Sequence, residues 1–272
     1  MKPLFEAAGL TDIGRARSNN EDSFFCDGDK GIFIVADGMG GHNSGEVASS
    51  LAVSLVKDFL TQKCSGDECR VSSADLEAAV KAANSLVYEK GRSMSKDAGM
   101  GTTLVCACGD GKTLTMAHVG DSRGYLLRQG VLSCLTEDHS VVQEQVRRGL
   151  IREEEAATSE LQNLLTRAVG SNPDVEVDIS THPLFYGDTI LLASDGLTKM
   201  VADFRIQEIL SRQEGVKNIA ANLILEANQA GGIDNITVVV ARLERGEKKS
   251  PLRASWSKMK SIFRGENAKA SS

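Results

Sequence analysis

Histidine is scarce in this chain, with four among 272 residues, so a histidine-built zinc site has little to draw on. Proline is equally scarce, four against 26 glycines, which suits tight turns more than extended linkers. No apolar run approaches the roughly 20 residues that a membrane-spanning helix needs, so the sequence reads as a soluble protein. No basic stripe appears before the C-terminal end, and the net charge of -6 argues against nucleic-acid binding by the body of the chain. The opening Met1-Lys2-Pro3-Leu4 has no signal-peptide pattern, and the six cysteines at 26, 64, 69, 106, 108 and 134 show no Cys-x-x-Cys spacing. A reducing, cytoplasmic setting is expected from these two features. Cys106 and Cys108 would share one face of a strand, which suits buried hydrophobes better than a bridge.

What the chain does have is a repeated junction between apolar strand and acid. Ile32 to Ala36 form an apolar run that stops at Asp37, followed by Gly38-Met39-Gly40-Gly41-His42 and then a helical pattern. The order of run, breaker and helix predicts a buried strand delivering one carboxylate to a loop. Asp37 and the Gly38 carbonyl would offer hard oxygen ligands to a hard cation, although Asp-Gly alone is also a common turn. The same junction recurs at Gly120-Asp121-Ser122-Arg123 and at Ser194-Asp195-Gly196.

Between the junctions the periodicity alternates in kind. Leu4 to Leu10 reads as an opening strand, and a hairpin is expected where Phe24-Phe25-Cys26 turns through Asp27-Gly28-Asp29-Lys30-Gly31. Asn43 with Glu46 resembles a capping box ahead of Val47, Leu51, Leu55, Val56 and Phe59 at helical spacing. A second amphipathic helix fits Leu76, Ala79, Val80, Ala83 and Val87, capped by Ser72 or Ser73. Thr102 to Cys108 and Thr113 to Val119 flank Asp110-Gly111 as a hairpin. Further strands are expected at Val175 to Ile179, Thr189 to Ala193 and Ile236 to Leu243, with helices at Phe204 to Leu210 and Val216 to Asn228. Strands in two blocks, with a helix pair between them and another near the end, favour antiparallel sheets packed together with helices outside.

Acids at turns beside these strands are Asp22, Asp37, Asp121, Asp195 and Asp234. Half-buried carboxylates repel one another and take up protons unless a cation neutralises them. Several meeting at one end of a sheet imply bound metal, and an all-oxygen set selects Mg²⁺ or Mn²⁺.

Taken in order, Arg17-x-x-Asn20-Glu21-Asp22, Asp37-Gly38-Met39-Gly40-Gly41, Gly120-Asp121-Ser122-Arg123, Ser194-Asp195-Gly196 and Asp234-Asn235-Ile236-Thr237 resemble the metal-dependent serine/threonine protein phosphatases of type 2C, in their compact bacterial form. The resemblance spans residues 5 to 243. It implies an α+β fold, a four-layer α-β-β-α sandwich of two antiparallel sheets flanked by helix pairs, with the metal centre at one end. It further implies that Asp37 bridges a metal pair with the Gly38 carbonyl beside it, and that Asp195 and Asp234 hold one of the two metals. Asp22 and Glu21 match direct or water-mediated positions on the other side. Asp121, with Asp195, matches the ligands of a third, weaker metal, and Arg17 matches the grip on substrate phosphate. Two metals lower the pKa of a bound water from 15.7 towards roughly 7, giving a hydroxide that attacks phosphorus in line. Many eukaryotic relatives carry a histidine two residues after the bridging aspartate; here Met39 stands there, leaving His42 or a metal-held water to protonate the leaving oxygen.

Other candidates have plainer readings. His118 reads as a packed residue inside a strand, and Asp138-His139-Ser140 as a turn and helix cap. Arg167 suits either phosphate or a structural salt bridge. Val141 to Leu161 corresponds to the mobile flap of bacterial relatives and is expected to select the phosphoprotein. The organisation expected is a catalytic domain over 1–243 and a basic tail over 244–272. In that tail Leu252, Trp256, Met259 and Phe263 fall on one helical face, suited to a membrane surface or a partner, the alternative being a flexible solubilising tail. The activity expected is hydrolysis of phosphoserine and phosphothreonine in proteins by a monomeric enzyme opposing a serine/threonine kinase. The rival readings are a catalytically silent phosphoprotein-binding module and a phosphohydrolase of small phosphate esters.

Overall fold

A computed structural model describes residues 4–41, 44–65, 68–69, 71–93, 99–156, 159 and 161–244. The chain opens with strands β1 (Phe5–Asp12), β2 (Asp22–Asp27) and β3 (Ile32–Met39), then helix α1 (Ser44–Gln62). Two short strands, β4 (Cys64–Ser65) and β5 (Glu68–Cys69), lead to helix α2 (Ser73–Ser93). Strands β6 (Gly101–Thr102), β7 (Leu104–Gly109), β8 (Thr113–Val119), β9 (Arg123–Arg128) and β10 (Val131–Cys134) follow. After the short helices α3 (Val141–Arg147) and α4 (Glu153–Ala156) come β11 (Asp178–Pro183) and β12 (Thr189–Ala193). Helices α5 (Asp195–Thr198), α6 (Asp203–Leu210) and α7 (Val216–Gln229) precede the last strand, β13 (Ile236–Leu243).

Every strand pairing is antiparallel. One sheet has the order β1-β13-β12-β9-β10; the other runs β11-β8-β7-β3-β2, with β6 also on β3. Three apolar clusters set the layers. Phe33, Val35, Val105, Ala107, Ile190, Leu192 and Val239 meet between the sheets. Ile32, Ile34, Leu104 and Cys106 point the other way, against α1 and α2 residues such as Val56, Leu60, Leu76 and Val80. On the far side Leu191, Ala193, Val238 and Val240 pack on Ile206, Ile219 and Leu223 of α6 and α7. Side chains alternate along a strand, so a strand covered on both faces is apolar at nearly every position. That is why Ile32 to Ala36 is an unbroken run, and it gives the expected four-layer α-β-β-α sandwich.

Ser72 opens α2 as anticipated: its Oγ accepts the Asp75 N–H at 3.1 Å while the Asp75 carboxylate accepts the Ser72 N–H at 3.1 Å. Ser140 caps α3 by accepting the Gln143 N–H at 3.2 Å. Two expectations need correction. The strand expected at Val175 to Ile179 lies later, at Asp178–Pro183, because Val175 and Val177 anchor coil against the helix-side core and the ladder begins only where Asp178 meets His118. The strand expected over Thr102 to Cys108 is broken at Thr103, whose hydroxyl accepts the Asp37 N–H at 2.9 Å. Cys64 is disulfide-bonded, a bridge outside the sequence reading, whereas Cys26, Cys106, Cys108 and Cys134 are free thiols. No helix among the described residues is long and apolar enough to cross a membrane. Residues 3–244 form one compact unit. The tail helix expected around Trp256, the Asn43 cap and His42 lie outside the described residues.

Candidate metal centre and active site

Strand register brings the first two acids together. β2 and β3 pair with Asp22 directly opposite Asp37. Asp195 begins α5, immediately after β12, and Asp234 immediately precedes the turn into β13. Because β13 and β12 are neighbours, the two junctions come out at the same end of their sheet. Asp121 follows β8 in the opposing sheet. A cavity of about 530 Å³ at this end is lined by Arg17, Glu21, Asp37, Gly38, Asp121, Asp195 and Asp234. Asp22 is buried beneath it.

Main-chain bonds fix this arrangement. The Asp37 carbonyl accepts the Thr103 N–H at 2.9 Å and the Thr102 hydroxyl at 2.8 Å. The Gly38 N–H donates to the Glu21 carbonyl at 3.1 Å. A Cβ at Gly38 would stand 2.1 Å from the Gly45 carbonyl oxygen and 2.5 Å from that of Glu21, so close backbone approach demands glycine here. Asn235 ties three points of the loop between β1 and β2 to the start of β13. Its Oδ1 accepts the Glu21 N–H at 2.8 Å, and its Nδ2 donates to the carbonyls of Ile13 and Asn19 at 3.0 and 2.9 Å. Ser194 Oγ donates to Asp22 Oδ2 at 2.8 Å and accepts the Thr237 N–H at 2.9 Å.

The electrostatics are those of a cation site. Burial, ahead of the neighbouring charges, pushes Asp22 up to about 7. Burial and then Asp195 push Asp121 up to about 7 as well. One side of Asp37 opens on the cavity, yet enclosure by protein is still the largest cause raising it well above the usual carboxylate range. Asp22 and a hydrogen bond with the Asp195 carboxyl add to it. Asp22 Oδ1 and Asp195 Oδ1 are buried without any hydrogen-bond partner. Unpaired buried carboxylate oxygens are costly, and divalent cations would remove that cost. All donors are oxygens, as Mg²⁺ and Mn²⁺ require. The residues therefore fit a metal pair.

Two cationic side chains hold other carboxylate oxygens of the set. Arg17 Nη2 donates to Asp234 Oδ2 at 2.7 Å. Lys199 Nζ donates to Asp195 Oδ2 at 2.5 Å and stands 3.7 Å from Asp121 Oδ2. In this arrangement no three histidine, cysteine, aspartate or glutamate side chains among the described residues are already gathered as a ready cage. The acids expected to meet do meet, but around protein cations.

The secondary candidates resolve to structural roles. Arg167 bonds Asp178 Oδ1 at 2.6 Å, the salt-bridge alternative. His139 Nδ1 accepts the Gly120 N–H at 3.1 Å, supporting the turn that carries Asp121, and Asp138 takes a two-point bond from Arg123 at 2.9 and 2.8 Å. His118 is buried with its ring 4.6 Å from that of His139, a packed residue as expected. Lys199 and Thr103 went unnoticed in the sequence. Thr103 sits in an ordinary strand pattern, and Lys199 had one available signal, its place four residues after Asp195 on a helical turn.

Comparison with known proteins agrees with this geometry. The family model described as protein phosphatase 2C matches residues 9–236. The serine/threonine phosphatase stp of Listeria monocytogenes serotype 4b (strain F2365) is 41% identical over 241 residues, covering 88% of this chain and 96% of that protein. The crystal structure of the Mycobacterium tuberculosis serine/threonine phosphatase PstP/Ppp superposes with a TM-score of 0.81 at 40% identity, covering 89% of this chain and 99% of that one. A PstP catalytic domain solved in complex with two manganese ions gives a TM-score of 0.79 at 39% identity, covering 88% and 98%.

Proposed function

This chain belongs to the protein phosphatase 2C family, and we propose that it hydrolyses phosphoserine and phosphothreonine at the cavity lined by Asp37, Asp121, Asp195 and Asp234. It is a metal-dependent protein serine/threonine phosphatase using two Mn²⁺ or Mg²⁺ ions. The observation that carries the residue assignment is the convergence of five carboxylates, two of them with buried oxygens that nothing pairs.

Asp22, Asp37, Asp195, Asp234 and the Gly38 carbonyl would hold the metal pair, with Glu21 beside them. When bound, the pair supplies a water acidic enough to attack near neutral pH and offsets charge on the phosphate oxygens. The chain's own residues do the rest. Thr102, Thr103 and Asn235 hold the ligating segments still, so little reorganisation is needed during reaction. Arg17, half exposed and bonded to Asp234, can release that carboxylate and present its planar fork to two phosphate oxygens. His42, or a water held at the centre, would return a proton to the departing serine or threonine oxygen.

Phosphoproteins are the substrates, and a serine/threonine kinase belongs to the same proposal, because such substrates are made only by phosphoryl transfer onto those hydroxyls. The free thiols among the described residues suit a cytoplasmic setting, in which the Cys64 bridge would be open to reduction. We read 1–243 as the catalytic domain of a monomer. We read 244–272 as a basic tail, with seven basic residues and one acidic from Arg245 to Arg264. The deciding assay follows phosphate release with Mn²⁺ from phosphothreonine peptide and from nucleotide. Peptide turnover abolished by Asp37→Asn is expected, and nucleotide preference would overturn the substrate class.

A further inference from the structure

Lys199 is a charged group in the centre that the family reading leaves without a task. It follows α5, one turn beyond Asp195, and its ammonium reaches oxygens from three separate segments. It donates to Asp195 Oδ2 at 2.5 Å and to Asn163 Oδ1 at 2.7 Å, and it faces Asp121 Oδ2 at 3.7 Å. Asp121 and Asp195 are the two carboxylates that the resemblance gives to a third, weaker metal.

We propose that the Lys199 ammonium is a built-in replacement for the third cation, neutralising Asp121 and Asp195 so that this enzyme's centre takes two metals and not three. The inference rests on the metal-centre reading above. An ammonium tethered four residues from its partner is always at high local concentration, whereas a weak third ion must arrive from solution. An incoming ion would also have to displace a positive charge already bonded to Asp195 Oδ2 and Asn163 Oδ1. Lysine suits the place because three donors on one compact charge can serve three oxygens in different directions.

The contact to Asn163 gives the lysine a second consequence. Asn163 lies just beyond the Val141 to Leu161 excursion, so Lys199 links the segment returning from the excursion to the metal centre. A neighbouring cavity of about 490 Å³, bounded by Val142, Val146 and Gln162 of this region, shares Asp121 and Lys199 with the catalytic cavity. The Asp121–Lys199 pair is the partition between them.

Manganese titration of the full chain, read by calorimetry and by the loss of free Mn²⁺ signal in electron paramagnetic resonance, tests the proposal without any turnover. Wild type is expected to bind two ions per chain. Lys199→Asn, which supplies an oxygen and removes the charge, is expected to bind a third more weakly, and the Lys199→Asn/Asp121→Asn double variant to return to two. Circular dichroism melting checks that each variant is folded, and Lys199→Arg, keeping the charge, should stay at two. Three ions in wild type, or two in Lys199→Asn, would overturn the role of the lysine while leaving the metal pair intact. No ion in wild type would overturn the metal centre itself, and this inference with it.

Discussion

Asp22 and Asp37 stand directly opposite each other across β2 and β3, a placement in which like charges destabilise a sheet. The pair persists because Ser194 bonds one oxygen of Asp22 and because, without metal, protons replace the missing positive charge.

That replacement predicts a specific pH dependence. In the metal-free protein Asp22 and Asp121 are pushed up to about 7, and Asp37 is raised as well, burial being the largest cause in each. Carboxyls of the unfolded chain lose their protons near pH 4. From about pH 4 to 7 the folded state therefore binds more protons than the unfolded state, and stability falls as pH rises through that window. Melting in EDTA is expected to drop by several degrees between pH 5.5 and 8, at roughly 2–4 °C per kcal/mol. Adding Mn²⁺ at pH 8 should restore it. A flat EDTA profile would remove the repulsion account.

Ser194→Ala should weaken manganese binding by about tenfold to a hundredfold, the usual cost of removing a group that orients a ligand. The hydroxyl both holds Asp22 and accepts the Thr237 N–H. Calorimetric titration of the variant checks this; unchanged affinity would mean that Asp22 needs no such support.

Arg17→Ala is expected to lower kcat/KM on phosphopeptide by about tenfold to a hundredfold, in line with the loss of a charge-assisted bond. Metal affinity should hold or improve, since Asp234 loses its competing guanidinium. Steady-state kinetics beside a manganese titration separates the two effects, and a parallel fall in both would assign Arg17 to the metal site instead.

Asn235→Ala removes the partner of the Glu21 N–H and of the Ile13 and Asn19 carbonyls together. These three groups are only part-buried, so at the low end of about 1–3 kcal/mol for each group left unpaired a loss near 3 kcal/mol is expected, seen as a melting point lower by roughly 6–12 °C. A loss under about 0.5 kcal/mol would show that water serves the three groups equally well.

Exchange of residues 141–161 for a segment of different sequence should shift peptide preference while sparing hydrolysis of a small aryl phosphate. The segment contributes α3 and α4 to the neighbouring cavity, and it supplies none of the five carboxylates. Equal loss of both activities would count against a role in selection.

Much of the architecture could be read from periodicity, because a sheet covered on both faces writes unbroken apolar runs such as Ile32 to Ala36. The acids were visible for a related reason: each stands beside one end of such a run. Their meeting was expected from their need for a counter-ion and from the resemblance, but the geometry of it was not visible, since it depends on which residue of β2 faces which residue of β3 and on β13 entering beside β12. The supports were hidden further still. Thr103 looks like any strand threonine, and its task exists only because β6 breaks off to meet Gly38. The misplaced β11 has the opposite cause, in that Val175 and Val177 carry a strand's composition while serving as an anchor for coil.

The position of β13 has a consequence for the nascent chain. This strand lies between β1 and β12, and Asp234 and Asn235 come just before it. Strand β1 must wait for β13 before that sheet can close, a long-range pairing of the kind that slows folding. Dephosphorylating power would thus emerge in one step, only once β13 is in place.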